Sequence, residues 1–154
     1  QIYEATRLLK KHHIKPSFFI QFGYPGETKK DIEMTIKMIN DLLPFEIGIS
    51  VSYPLPGTVF YEKVKDDLKE KTNWTDSDEL ALMFHNTYQP AFYKQLHRYV
   101  HSNYRKHLAF ENLQQLFTNP LKSNLLTIKK AVSGLLYTPL SMIDKRKLSQ
   151  LEKA

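Results

Sequence analysis

Cysteine is absent from this 154-residue chain. That excludes disulfides, a thiol nucleophile and any thiolate-held iron–sulfur cluster built from these residues alone. No apolar run approaches the ~20 residues that a membrane-spanning helix needs. The charged-then-apolar pattern of a secretory signal is missing too, and a cytoplasmic location is expected. Acids are scarce in one stretch: from Lys94 to Lys130, seven Lys and Arg stand against the single acid Glu111, a surplus that equals the +6 net charge of the whole chain. From Glu62 to Glu79 the balance reverses, with seven acids against four lysines. A basic helical stretch meets nucleic acid, anionic lipid or an acidic partner, but more often it is a solvated face. Hydrolytic machinery is missing as well. There is no Ser-His-Asp order, phosphate loop or paired-carboxylate site, and Glu27 and Glu46 are the only acids close to the strand-like segments.

What is present suits one ordinary domain or a piece of a larger one, with 42% apolar and 25% charged residues. Ile2, Ala5, Leu8 and Leu9 share a helix face that ends near His12 and His13, whose place suits contact with the last helix carbonyls. "IKPSFFIQF" reads as a strand with Pro16 at its entry. Thr28 and Asp31 have the spacing of a capping box, and Ile32, Ile36, Ile39 and Leu43 form the buried stripe of the helix behind it. Pro44 stops that helix, "EIGISVS" is a second strand, and "YPLPGT" turns the chain out of it. Residues 60–71, 77–88, 90–117 and 123–151 read as helices or broken helices, with Trp74, Pro90, Pro120 and Pro139 near the breaks. The helix–strand alternation of the first part predicts parallel α/β structure, in which strands are covered on both faces.

The strands alternate in character. Phe18, Ile20 and Phe22 share one side of the first, and Ile47, Ile49 and Val51 share one side of the second, against Ser17, Phe19, Gln21 and Gly48, Ser50, Ser52. By this parity Gln21 and Ser50 face a lumen or substrate. In parallel α/β folds ligands gather at the carboxyl ends of strands, here Gly23–Tyr24 and Ser52–Tyr53. Gly23 and Gly26 allow close backbone approach or positive φ. Spacing alone leaves two readings of "GYPGET" open: a tight turn, or one edge of a ligand site.

"FFIQFGYPGETKKDIEMTIKMI" followed by "ISVSYPLPGTVFYEKV" resembles the carboxy-terminal half of radical SAM proteins. The likeness is greatest to the cobalamin-domain-containing group that includes the anaerobic magnesium-protoporphyrin monomethyl ester cyclase. "LALMFHNTYQPAFYKQLHRYVHSNYRKH" resembles the helical region that follows in that group, so the likeness covers roughly residues 1–107. It implies a C-terminal fragment, with 1–60 as the last part of a partial parallel βα barrel and 61–154 as a helical extension. It also implies S-adenosylmethionine on a [4Fe-4S] cluster, and either a 5′-deoxyadenosyl radical or methyl transfer through cobalamin. By the resemblance Gly23, Gly26 and Glu27 match the strand-five motif near the adenosyl group, with the glutamate bracing the loop. Ser52 and Tyr53 lie where family members approach the adenine.

The departure from the family is the CxxxCxxC loop, which this chain cannot supply. The implied partners are therefore the missing N-terminal half and a cobalamin-binding domain, and the isolated chain is expected to be inert. The alternative is a non-enzymatic basic helical interaction module on a degenerate barrel remnant. His97 and His101 stand four apart on a helix, a spacing that suits one metal ion, yet no HExxH context surrounds them and a metal is not expected. Tyrosines interleaved with Arg98, Arg105 and Lys106 suit helix packing better than stacking on nucleic acid. "NLLTIKKAVSGLLYTPLSMI", apolar with basic insertions, is open between lying on a membrane surface and covering a barrel face. With so few strands, apolar flanks are expected to be exposed and the isolated chain to be prone to aggregate.

Overall fold

The computed structural model describes residues 1–68, 84 and 86–153. The chain opens with α1 (Ile2–Lys11), β1 (Ser17–Phe22), α2 (Lys29–Leu42) and β2 (Glu46–Val51). Helices follow: α3 (Val59–Leu68), the long α4 (Pro90–Thr118), a short 3-10 turn at Pro120–Lys122, α5 (Leu125–Val132) and α6 (Gly134–Leu151). The expected helix over 77–88 and the break at Trp74 fall mostly or wholly outside the described residues.

β1 and β2 pair in parallel, with Phe18 opposite Ile47 and Phe22 opposite Val51. α2 is the crossover between them. Thr28 begins that helix by accepting the Asp31 amide at 3.3 Å while the Asp31 carboxylate accepts the Thr28 amide at 2.9 Å. Leu43 ends it in the left-handed region, with its amide on the Ile39 carbonyl at 2.9 Å. At the end of α1 it is the backbone of His12 that closes the last turn, donating to the carbonyls of Leu8 and Leu9.

The expectation of a partial parallel barrel is overturned. The chain is mostly helical, and among the described residues the sheet has two strands and stays open. Its apolar side, Ile20, Phe22 and Ile47, is closed by α2 through Ile32 and Ile39, and by α4 through Phe92, Tyr93, Leu96 and Val100. One long helix thus shares with α2 the burial of that apolar face. Tyr104 locks α4 in place by donating from its hydroxyl to the Pro44 carbonyl at 2.7 Å, and Asn103 bonds Asn40 at 2.8 Å. The opposite side of the sheet is open along β1, where Ser17, Phe19 (72% exposed) and Gln21 face outward, and partly closed at Ser50 on β2.

α4 packs against α5 and α6 on its other flank. A buried Asp144 is central there, accepting from the Gln95 amide at 3.1 Å and the Ser102 hydroxyl at 2.8 Å. α6 runs through Pro139 rather than breaking at it. No helix among the described residues is long and apolar enough to cross a membrane. Ile2 and Leu8 on α1, and Leu125, Leu135 and Met142 on the C-terminal helices, are exposed.

Candidate functional site at the strand ends

Because β1 and β2 are parallel and in register, their carboxyl ends emerge side by side. The Ser52 amide donates to the Phe22 carbonyl at 2.7 Å and carries the ladder one step past the strands. Beyond Phe22 the chain must leave the sheet and start α2 within a few residues. Gly23 at φ +80° and Gly26 at φ +86° supply the left-handed turns this needs, a conformation that side chains with a Cβ rarely adopt. A Cβ on Gly26 would meet nothing within 4 Å, so its role is conformational and its surface is open.

Glu27 closes the turn on itself. Its carboxylate accepts the buried Gly23 amide at 2.8 Å. Burial lifts the Glu27 carboxyl above the usual carboxylate range, against the pull of that same N–H. Two residues that sequence reading missed complete the strap. Asn86 donates from its side-chain amide to the Gly23 carbonyl at 2.5 Å, and the Thr87 hydroxyl donates to the Glu27 carbonyl at 3.2 Å. Both Gly23 backbone groups are thereby satisfied, as a buried peptide requires. The Asn86 contact spans 63 residues, and no local pattern announces it.

Aromatic rings flank the turn. Tyr24, half exposed, lies 5.0 Å from Phe60, which meets Phe84 edge-on at 5.3 Å. On the inner side Tyr93 is buried and its hydroxyl has no partner among the described residues. Burial, with the charge of Glu27 adding to it, keeps this phenol protonated. Nothing in the local sequence pattern points to a buried Tyr93 hydroxyl on this side of the turn.

The structure therefore brings Gly23, Gly26, Glu27 and the buried Ser52 to one edge, with Tyr53 half-buried beside it. Gln21 and Ser50 sit opposite each other in the ladder on the side of the sheet that is open along β1. Gln21 is exposed, whereas the Ser50 hydroxyl is buried and finds no partner among the described residues. Among those residues no cluster of three or more His, Cys, Asp or Glu could hold a metal ion.

Removing the brace has a measurable consequence. Glu27→Ala leaves the Gly23 amide unpaired and is expected to cost about 1–3 kcal/mol. Glu27→Gln keeps an acceptor and is expected to cost less. Equilibrium unfolding of the two variants checks this; equal losses would mean that the carboxylate's bond to Gly23 does not hold the turn.

Compared with models of known protein families and with curated proteins, the chain matches none.

Proposed function

We propose that this chain is the C-terminal portion of a radical SAM enzyme and that its paired strand ends form the adenosyl side of an S-adenosylmethionine site. The observation that carries the reading is the GYPGE turn: two left-handed glycines, a glutamate folded back onto the first, and an open outer surface beside the end of a second parallel strand. An adenosyl group asks for exposed backbone donors and acceptors beside an aromatic or apolar wall. The exposed backbone at Gly26, on the turn that Gly23 and Glu27 hold in shape beside Ser52 and Tyr53, supplies the first, and the Tyr24–Phe60 pair supplies the second. Gln21, exposed, and Ser50 across the ladder from it, whose buried hydroxyl has no partner among the described residues, are the groups assigned to the substrate.

The [4Fe-4S] cluster does not fit these residues, because its thiolate ligands are absent from the sequence. It belongs to another part of the protein, as does a cobalamin-binding domain, and the chain by itself performs no cleavage. Bound S-adenosylmethionine supplies a sulfonium whose carbon–sulfur bonds serve radical or methyl-transfer chemistry. This chain's part is to seat its adenosyl portion and to hold the loop rigid through Glu27. A cytoplasmic setting accompanies this reading.

A second reading, a non-enzymatic basic helical interaction module, is favoured by one observation, the acid-poor run from Lys94 to Lys130. The two separate on one experiment. The coding sequence upstream of Gln1 is read for a CxxxCxxC motif, and the encoded full-length protein is reconstituted with iron and sulfide. S-adenosylmethionine binding and reductive release of 5′-deoxyadenosine or a transferred methyl group are then measured. Binding is expected, weakened roughly tenfold by Glu27→Ala, the equivalent of about 1.4 kcal/mol, and also weakened by Gly26→Val. A full-length protein without the cysteines, or one whose binding ignores both substitutions, overturns the proposal.

A further inference from the structure

We propose that the cleft between α4 and α6 around His97 and His101 binds a phosphate-bearing small molecule. The sequence places His97, Arg98, His101 and Arg105 at successive turns of α4, so that three of them recur at a spacing of four on one flank. In the fold that flank meets α6, and Lys147 joins from the other wall of a cleft of about 400 Å³. The two imidazoles lie 4.5 Å apart, centroid to centroid.

The charge balance of this cleft is one-sided. Its single lining acid, Asp144, is buried, and both of its carboxylate oxygens are engaged, one by Gln95 and one by Ser102. The accessible surface is therefore cationic. That argues against a metal ion, even though the histidine spacing by itself would suit one: a divalent cation would sit among Arg98, Arg105 and Lys147 with two imidazoles as its ligands. An anion meets the opposite field.

The chemistry of the donors points to phosphate in particular. Arg105 is held in place, since its guanidinium donates to the Tyr137 hydroxyl at 2.6 Å and lies over that ring at 5.3 Å. A guanidinium has five N–H donors, so this bond leaves others to a bound oxyanion. Arginine forks match phosphate oxygens, lysine adds charge from the side, and a neutral imidazole still offers one N–H donor. Tyr137 and Leu140 give the same cleft an apolar wall, which suits the organic part of a phosphate monoester. The volume lies within the usual range for small-molecule sites.

The test is an NMR titration of the imidazole resonances of the chain, at low ionic strength, with inorganic phosphate, phenyl phosphate and vesicles containing phosphatidylserine. Saturable shifts of His97 and His101 are expected with both phosphates, with phenyl phosphate the tighter because it also covers the apolar wall. Arg98→Ala and Lys147→Ala alter exposed residues and leave the fold intact by circular dichroism. Each is expected to weaken phosphate binding roughly tenfold, the equivalent of one charge-assisted hydrogen bond. No saturable shift, affinity indifferent to both substitutions, or a response to vesicles without a response to the free phosphates overturns the proposal.

Discussion

Phe22→Ala is expected to destabilise the chain by about 3–5 kcal/mol, the range for truncating a buried phenylalanine. Phe22 is 2% exposed and ends β1, with α2 below it and α4 across it. The surroundings have little freedom to collapse into the space. β1 is tied to β2 by the ladder and by the Phe22 carbonyl itself, and α4 is pinned to the 44–45 turn by Tyr104. Three residues earlier, Phe19 occupies the opposite side of the same strand and is 72% exposed. It lies across the ladder from Gly48, where a Cβ would come within 3.2 Å of its ring. Phe19→Ala is therefore expected to cost under about 1 kcal/mol. Equilibrium denaturation of the pair decides whether the sheet has one covered face. Equal losses would mean that Phe19 is buried too, and that the open face along β1 does not exist in solution. The result also bears on the site, because Phe22 anchors the residue from which the GYPGE turn departs.

Which features could be read from the sequence follows from how far apart the interacting residues stand. The Thr28–Asp31 capping box, the stripe through Ile32 and Ile39, and the division of the strands into apolar and polar sides are all local patterns. The Glu27–Gly23 bond, four residues apart, is within that reach. The barrel expectation failed because a helix–strand–helix–strand rhythm reads the same whether the sheet continues or stops. Nor does a stripe of Phe92, Leu96 and Val100 say which sheet it covers. Asn86 on Gly23 and Tyr104 on Pro44 join residues about sixty apart, without any periodicity to betray them. Pro139 was legible as a helix breaker but sits in the second turn of α6, where the helix passes it at the loss of one backbone hydrogen bond, that to the Leu135 carbonyl.

Acidification from neutrality is expected to destabilise the chain well before its surface carboxylates titrate. Burial, reinforced by the charges of His97 and Arg105, pushes the His101 imidazole down to about 4 from an ordinary 6.5. The unfolded chain takes up this proton near 6.5, while the folded chain refuses it until about 4. Stability is thus complete above the unfolded value and is lost as pH falls through the interval between the two. For a ring partly open to water the loss is on the order of 2 kcal/mol. His107, lowered by burial and by Lys106, acts in the same direction. Glu27 acts in the other: its carboxyl is raised above 4.5, so the folded state takes up that proton first and gains stability as pH falls there. Asp31 and Asp41 are depressed below 3.8 and contribute only at still lower pH. Comparing urea midpoints at about pH 7.5 and about pH 5 therefore reads the histidine loss net of the opposing Glu27 gain, and avoids Asp31 and Asp41. His101→Gln, polar but not titrating, is expected to remove at least half of the loss, and an unchanged loss would place its origin elsewhere. The same measurement reaches the proposed cleft. A bound phosphate would favour the His101 imidazolium, so the loss between the two pH values should shrink in phosphate buffer for the parent chain and not for His101→Gln.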